Sequence, residues 1–217
     1  MINFDPSKRL MEKTDKKTDI LRAAEMLFSE FGFEGTSTRQ IAKESGANMA
    51  MINYYFGSKE GVFLEIMEAR ISGHKSTLKE ISELQVSPVE KLMKVIDQYT
   101  RKIFSNVCFH RMMQRELSLG QRPEIYSKIK DAIRENRLVI EEIIADGVKD
   151  GSFKEVDGRM LIATIFGAIT SVSSQPDKVI DDPKFDIDND KQREELRQRL
   201  SAFLQHLVQS YIIIPNK

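Results

Sequence analysis

The sequence predicts an all-α protein with a small N-terminal helix-turn-helix domain of three helices, residues 1–62, and a larger C-terminal helical domain, residues 63–217. Apolar residues recur at helical spacing along most of the chain. No segment alternates apolar and polar residues for long enough to form a convincing strand. Glycines and prolines fall between the periodic stretches, where they end one helix and permit the next to begin.

The first helix carries one apolar stripe and is predicted to end at two glycines, Gly32 and Gly35. Its apolar residues stand at i, i+4, i+7, i+8 and i+11, which is the spacing of one face of an α-helix. The stripe consists of Ile20, Ala24, Leu27, Phe28 and Phe31.

Two short helices are predicted to follow the first. We expect the second to begin at Thr36 or Ser37, whose side chains suit an N-cap, and to run through Glu44. Gly46 then permits a tight turn into a third helix that runs from about residue 48 to residue 56.

A long fourth helix begins at the Ser-Lys-Glu sequence of residues 58–60. Beyond Pro88 the apolar periodicity continues into the methionine-rich stretch around Met112, and it breaks at Gly120 and Pro123. Further helices are predicted over residues 125–151, 160–174 and 196–212, and a surface loop is predicted over the acidic, proline-containing segment 175–191.

Composition narrows the class of protein. Lysine plus arginine equals aspartate plus glutamate at 33 each, so net charge gives no indication of nucleic-acid binding. Residues 1–17 are polar and charged, and the single cysteine, Cys108, has no disulfide partner, so we expect a cytoplasmic protein without a signal peptide. The longest low-charge run, residues 160–174, falls short of the roughly 20 apolar residues that span a bilayer, so no membrane partner is expected.

No metal site, cofactor or catalytic residue is predicted. The three histidines, His74, His110 and His206, lack the i, i+4 spacing of a helical metal site. No phosphate-binding glycine motif or nucleophile motif occurs in the sequence. An enzyme with Cys108 as its nucleophile is one alternative, but the sequence offers it no paired base.

The stretch from Ser37 to Lys59 has a packed side and an exposed side. Ile41 and Ala42 face inward from the second helix, and Ile52 and Phe56 anchor the third. The opposite face of the third helix is left for a partner, and a short helix of this kind fits the major groove of DNA. This face consists of Met49, Ala50, Asn53 and Tyr54.

Over roughly residues 15–62 the sequence resembles the TetR family of bacterial regulators. The family pattern has Thr-x-Arg-x-Ile-Ala, a glycine before the turn, and aromatic residues followed by Phe and a Ser-Lys-Glu helix start. Asn53 stands where many members carry the first of these aromatic residues. The matching residues are Thr36 or Thr38 with Arg39, Ile41-Ala42, Gly46 and Tyr54-Tyr55-Phe56-Gly57-Ser58-Lys59-Glu60.

The resemblance implies a DNA-binding transcriptional regulator. Hydroxyl groups and backbone amides at helix starts can donate to phosphate oxygens. An arginine can address guanine with two hydrogen bonds, worth about 1 to 3 kcal/mol of discrimination. The resemblance implies phosphate contacts from Ser37, Thr38, Tyr54, Tyr55 and Lys59, and base contacts from Arg39 and from the exposed face of the third helix, which includes Met49, Ala50 and Asn53. Asn48, at the start of that helix, is also predicted to bind DNA.

Each of these residues also has a structural alternative. Tyr55 can be a core residue, Arg39 a solvated arginine, and Ser37 and Thr38 helix caps. A wider alternative is a helical ligand carrier or interaction protein with a vestigial helix-turn-helix, which the balanced charge would fit.

The C-terminal helices are predicted to carry a ligand pocket and a dimer interface. Methionine and aromatic side chains adapt to irregular ligands, although core packing is the alternative. The apolar stripes of the helices at 160–174 and 196–212 exceed what one chain needs, which predicts a homodimer. The predicted pocket residues are Tyr99, Phe104, Met112, Met113 and Phe166, and the predicted dimer residues are Ile165, Ile169, Leu200, Phe203, Leu204, Leu207 and Tyr211.

The mechanism that these expectations imply is a ligand-responsive repressor. A dimer would present two third helices to successive major grooves of a pseudo-palindromic, double-stranded operator. An unknown small-molecule effector that favours a different state of the dimer would release the DNA.

Overall fold

The computed structural model describes the backbone of residues 6–120 and 122–213, and side chains in these ranges from residue 16 onward except at residues 124, 125 and 128. The regular elements of the described residues are helices, which confirms the all-α prediction. An isolated antiparallel bridge joins Phe153 and Ile213. The helices of these ranges are α1 (Pro6–Gly35), α2 (Thr38–Glu44), α3 (Met49–Phe56), α4 (Lys59–Glu83), α5 (Pro88–Phe104), α6 (Val107–Leu119), α7 (Pro123–Lys149), α8 (Gly158–Ser174) and α9 (Asp190–Ile212), with a short 3-10 helix at Pro176–Lys178.

The chain divides into two compact units. The first unit comprises residues 1–71 together with 111–129, and the second comprises residues 72–110 together with 130–217. The first unit therefore extends beyond residue 62 and includes a segment from the middle of the chain. A functional division at residues 1–62 and 63–217 stays a prediction.

The first unit has a core in which three aromatic rings meet. The ring of Phe28 stacks on that of Phe33 with centroids 5.3 Å apart, and Phe63 of α4 packs edge-on against both. All three rings are buried. Because aromatic pairs in these arrangements are stabilising beyond their buried area, the cluster fixes α1 against the start of α4. Other buried apolar residues of this unit are Ile20, Ala24, Leu27, Ile41, Ala42, Ile52, Val62, Ile66 and Met67.

The second unit is built around α5, α8 and α9. Helix α5 packs along α9 and α8, and all three contribute to one apolar cluster with α7. Arg197 of α9 is buried within this unit, and its guanidinium group donates to Asp97 of α5 at 3.0 Å and to Glu194 at 2.7 Å. A buried arginine needs such partners because an unpaired charge in the interior is strongly destabilising.

The observed helices follow the predicted ones with three differences. Helix α1 contains a non-helical residue at Gly32, with φ 75° and ψ 170°, so the stop predicted there is a break within one element. The stretch beyond Pro88 is two helices, because α5 ends at Phe104 and the side chain of Asn106 accepts a hydrogen bond from the start of α6. Within the predicted acidic loop, three apolar residues pack against the core of the second unit: Ile180, Phe185 and Ile187.

Candidate nucleic-acid interface

Helices α2 and α3 form a helix-turn-helix whose two starts are capped by side chains. The hydroxyl of Ser37 accepts from the main-chain N–H of Gln40 at 3.2 Å, and the Gln40 side chain accepts from the N–H of Ser37 at 2.8 Å. The side chain of Asn48 accepts from the N–H of Met51 at 2.9 Å. The turn between the helices includes Gly46 at φ 60°. These caps set where each helix begins and therefore which way its side chains point.

The third helix has one buried side and one exposed side. Ile52 is fully buried, whereas 73% of Tyr54 is exposed. Phe56, which was expected to anchor this helix, is half-buried, and so is Tyr55. The residues of the predicted DNA-facing side, Met49, Ala50, Asn53 and Tyr54, are all exposed in the structure.

The predicted contact residues at the start of α2 lie at the surface. Ser37 and Arg39 are exposed and Thr38 is half-buried. The hydroxyl of Ser37 also donates to the side-chain oxygen of Gln40 at 2.7 Å. Ser37 therefore serves as a helix cap, which is compatible with a phosphate contact from the same helix start. The DNA contacts of these residues stay predictions.

Lys59, expected to contact phosphate, occupies a partly buried position in the structure. Its ammonium group donates to the main-chain carbonyls of Phe33 and Thr36, each at 2.9 Å, and lies 4.2 Å from the centre of the Phe33 ring. Thr36 is itself buried, and its hydroxyl donates to the carbonyl of Gly32 at 2.9 Å. The observed geometry gives Lys59 a structural role at the junction of α1 and α2.

Arg122 belongs to the same junction and was not singled out from the sequence. It precedes α7, and its guanidinium carbon lies 3.9 Å from the centre of the Phe33 ring. The guanidinium group also pairs with Glu34 and with Glu116, the latter at 2.6 Å. No local pattern in the sequence pairs residues that lie about ninety positions apart, so only the folded structure reveals this cluster.

The carboxyl group of Glu60 is influenced by the positive charges of Lys59 and Arg122. A hydrogen bond from its own main-chain N–H holds the pKa of Glu60 below its ordinary value, against the opposing effect of burial. Ser58, Lys59 and Arg122 lower it further. An ionised carboxylate in the first turn of α4 is favoured there by the partial positive charge of the helix N-terminus.

The predicted pocket residues are divided between the two units. Tyr99 and Phe166 of the second unit stack with ring centroids 3.9 Å apart, and burial raises the pKa of Tyr99 to about 12. Phe104 of the same unit is buried. Met112, which is buried, and Met113, which is half-buried, belong to the first unit. A ligand-binding role for these five residues stays a prediction.

The predicted dimer residues also separate into two groups. Ile165, Ile169, Leu200 and Leu204 are buried within the single chain and belong to the core of the second unit. The remaining three have large exposed fractions, at 62% for Phe203, 45% for Leu207 and 60% for Tyr211.

Among the described helices, none combines the length and apolar character that crossing a membrane requires.

Two family patterns match the chain. The family described as "Bacterial regulatory proteins, tetR family" matches residues 20–66, which include the helix-turn-helix. The family described as "Tetracyclin repressor-like, C-terminal domain" matches residues 85–174.

Similar proteins are transcriptional regulators. The fatty acid metabolism regulator protein of Bacillus subtilis (strain 168) is 24% identical over 82% of this chain and 91% of its own length. The regulator RutR of Escherichia coli (strain K12) is 28% identical over 74% of this chain and 75% of its own. The structure of Bacillus subtilis FadR in complex with stearoyl-CoA has the same fold, with a TM-score of 0.69 at 21% identity over 86% of this chain and 96% of that one. With its helix-turn-helix and both family matches, this chain belongs to the TetR family of DNA-binding transcriptional regulators.

Proposed function

We propose that the protein is a repressor that binds a pseudo-palindromic operator as a homodimer and releases it when a small molecule binds. The exposed face of α3 carries this proposal, because Asn53 and Tyr54 point outward while Ile52 is buried. An outward face of amide, phenol and thioether groups on a short helix suits contacts with base edges and phosphates in a major groove.

The outer face of α8 and α9 supports the dimer. Met160 is 64% exposed, and it lines an apolar groove of about 280 Å³ together with Leu207 and Tyr211. A two-fold axis would place this patch against the same patch of a second copy and remove these side chains from water. Such a pair would present two α3 helices one helical turn, about 34 to 36 Å, or a multiple of it apart.

A long-chain acyl-CoA is the effector class that we propose to test first. The FadR structure of similar fold contains stearoyl-CoA, and a fatty acid metabolism regulator is similar along most of its length. In this chain the stacked rings of Tyr99 and Phe166 supply flat apolar surface within the second unit. An effector that binds the DNA-free protein more tightly than the DNA-bound protein would lower operator affinity by the ratio of these two effector affinities.

Fluorescence anisotropy tests the DNA-binding part of the proposal. The purified protein is titrated into DNA from the upstream region of its own gene and into an unrelated duplex, at several salt concentrations. Tight binding to the first and loose binding to the second is expected. If both the upstream DNA and duplexes selected from a randomised pool bind as weakly as the unrelated duplex, sequence-specific regulation is overturned.

Sedimentation equilibrium tests the dimer. Leu207→Glu places a charge in the exposed apolar patch, so the variant is expected to be monomeric and to lose operator affinity. Leu84→Glu is the matched control, because Leu84 is 39% exposed and lies outside α8 and α9. A monomeric wild type, or a dimer that Leu207→Glu leaves unchanged, would contradict this interface.

Stearoyl-CoA, added to the preformed protein and operator complex, tests the effector. Release of the DNA is expected, with free coenzyme A and free stearate as controls that supply each half of the molecule. If the complex is unaffected by stearoyl-CoA, the acyl-CoA assignment fails, and the anisotropy result with DNA alone still decides whether the protein is a regulator.

A further inference from the structure

We propose that Arg122 is a positioning residue for DNA binding. It lies outside the segment that matches the DNA-binding family pattern, residues 20–66, but inside the first compact unit. Through Phe33 and Glu34 it fixes the junction that sets the start of α2.

The contacts of Arg122 differ from those of a surface arginine. Its side chain is 18% exposed, and that of its partner Glu116 is 8% exposed. The guanidinium carbon lies over the ring of Phe33, which is almost completely buried. Ion pairs between exposed side chains contribute little, but a forked, partly buried arginine with an aromatic face and two carboxylates is held in one geometry.

Phe33 and Glu34 join Arg122 to Lys59. The Lys59 ammonium group also lies over the Phe33 ring, and it is 4.0 Å from the second carboxylate oxygen of Glu34. Glu34 is therefore shared by two cations that come from different elements, α4 and the turn before α7. The ring and the carboxylate connect these cations into a single cluster.

The cluster acts on the end of α1, which is not held by helical hydrogen bonding alone. Helix α1 is broken at Gly32, and the residues that follow lead directly to the N-cap Ser37. Lys59 holds the carbonyl of Thr36, the residue immediately before that cap. A shift of Phe33 or Glu34 would therefore move Ser37 and Arg39, two predicted DNA-contacting residues, without any change in their own side chains.

The experiment compares Arg122→Gln with the wild type for binding to a duplex that the wild type selects from a randomised pool, and to an unrelated duplex. We expect Arg122→Gln to bind the selected duplex about tenfold more weakly, with a much smaller effect on the unrelated one. Arg122→Lys keeps the charge but not the planar fork, and is expected to restore affinity only in part. Arg134→Gln is the matched control, since Arg134 is an exposed arginine of α7, and no change is expected there.

Two outcomes would overturn the proposal. An equal loss on both duplexes would make Arg122 a simple phosphate contact. An unchanged affinity for the selected duplex, with a lower unfolding free energy, would make its role purely structural. If Arg122→Gln does not fold, Glu34→Gln removes only the shared carboxylate charge from a side chain that is 68% exposed, and the same loss of selective binding is required of it.

This inference rests on the proposed DNA-binding function, and the two fail differently. If the wild type selects no duplex, the proposed function fails before Arg122 is tested. If the wild type selects a duplex that Arg122→Gln and Glu34→Gln bind equally well, only the positioning role fails.

Discussion

The ammonium nitrogen of Lys59 lies 2.9 Å from the carbonyl oxygen of Thr36, and so ties the start of α4 to the residue before the α2 cap. The sequence pattern predicts a phosphate contact for Lys59, yet its ammonium group donates to main-chain carbonyls of the protein. Charged donors to buried or half-buried carbonyls stabilise a fold more than neutral ones do. A structural role of Lys59 and a phosphate contact from Lys59 can therefore be distinguished by measuring stability and DNA binding separately.

Lys59→Gln is expected to lower the free energy of unfolding by about 2 kcal/mol, because two carbonyls lose a charged donor. Urea denaturation measures this change, and Lys43→Gln on exposed α2 surface is the control. If Lys59 also neutralises a phosphate, the slope of log K against log salt falls by about 0.9 in addition. An unchanged unfolding free energy would show that its bonds to Phe33 and Thr36 contribute nothing.

Tyr54→Phe removes one hydroxyl from the exposed face of α3. Because the ring is mostly solvent-exposed, stability is expected to stay unchanged, while operator affinity falls by about 1 kcal/mol if the hydroxyl donates to a phosphate. Anisotropy measures the affinity, and Tyr126→Phe is a control on an exposed tyrosine outside the helix-turn-helix. Equal affinity of Tyr54→Phe and wild type would remove Tyr54 from the set of phosphate contacts.

His74 makes the stability of the protein depend on pH. The imidazole is buried, neither ring nitrogen has a hydrogen-bond partner among the described residues, and its ring centre lies 5.4 Å from that of Tyr99. The pKa of His74 is lowered from 6.5 to about 3, chiefly by burial and in smaller part by the nearby positive charges of Lys102 and His110. The unfolded chain therefore binds a proton that the folded chain does not, between about pH 6.5 and pH 3.

Because the pKa of His74 is lower in the folded chain, its contribution to stability is fully present above about pH 6.5 and is lost as the pH is lowered toward 3. Protonation of His74 in the unfolded chain is expected to lower the free energy of unfolding by about 2 kcal/mol between pH 7 and pH 5. His74→Gln, which does not titrate, should lose this component, so the wild type and the variant are compared by urea denaturation at both pH values. Parallel losses in the two proteins would assign the acid sensitivity to other groups.

Gly147 of α7 has no room for a side chain. A Cβ atom there would lie 2.1 Å from a ring carbon of the buried Phe153. Gly147→Ala is therefore expected to destabilise the protein by about 1 to 3 kcal/mol, although alanine is the better helix former. Gly73→Ala in α4, where the structure describes no atom within 4 Å of the added carbon, is expected to stabilise by about 0.5 to 1 kcal/mol. Thermal unfolding compares the two, and a stabilised Gly147→Ala would contradict the packing of Phe153.

The sequence predicted the local features of this protein well. The capping residue Ser37, the turn at Gly46 and the exposed face of α3 depend on neighbours a few residues away, and their patterns are visible in the chain. The break after α5 was missed because the apolar periodicity continues through Ser105 and Asn106, whose side chains bond to main-chain groups and end one helix and start the next.

The long-range features could not be predicted in this way. Arg122 meets Phe33 only because folding brings residues 111–129 into the first unit, and no periodicity encodes that contact. The apolar stripe of α9 likewise did not predict which of its residues are buried within the chain. Leu204 and Leu207 are equivalent in the pattern, yet the first is buried in its own chain and the second is exposed, because a hydrophobic stripe does not specify which neighbour covers it.

The discontinuous make-up of the first unit limits how this regulator can be recombined with its relatives. A chimera that exchanges only residues 20–66 would transplant Phe33 and Glu34 away from Arg122 and set them beside whatever the host carries between its own sixth and seventh helices. An exchange that takes residues 111–129 as well keeps the cluster intact. If Arg122 positions the helix-turn-helix as proposed, transfer of operator specificity requires both stretches of chain, and a swap of one alone should yield a folded hybrid with poor selectivity.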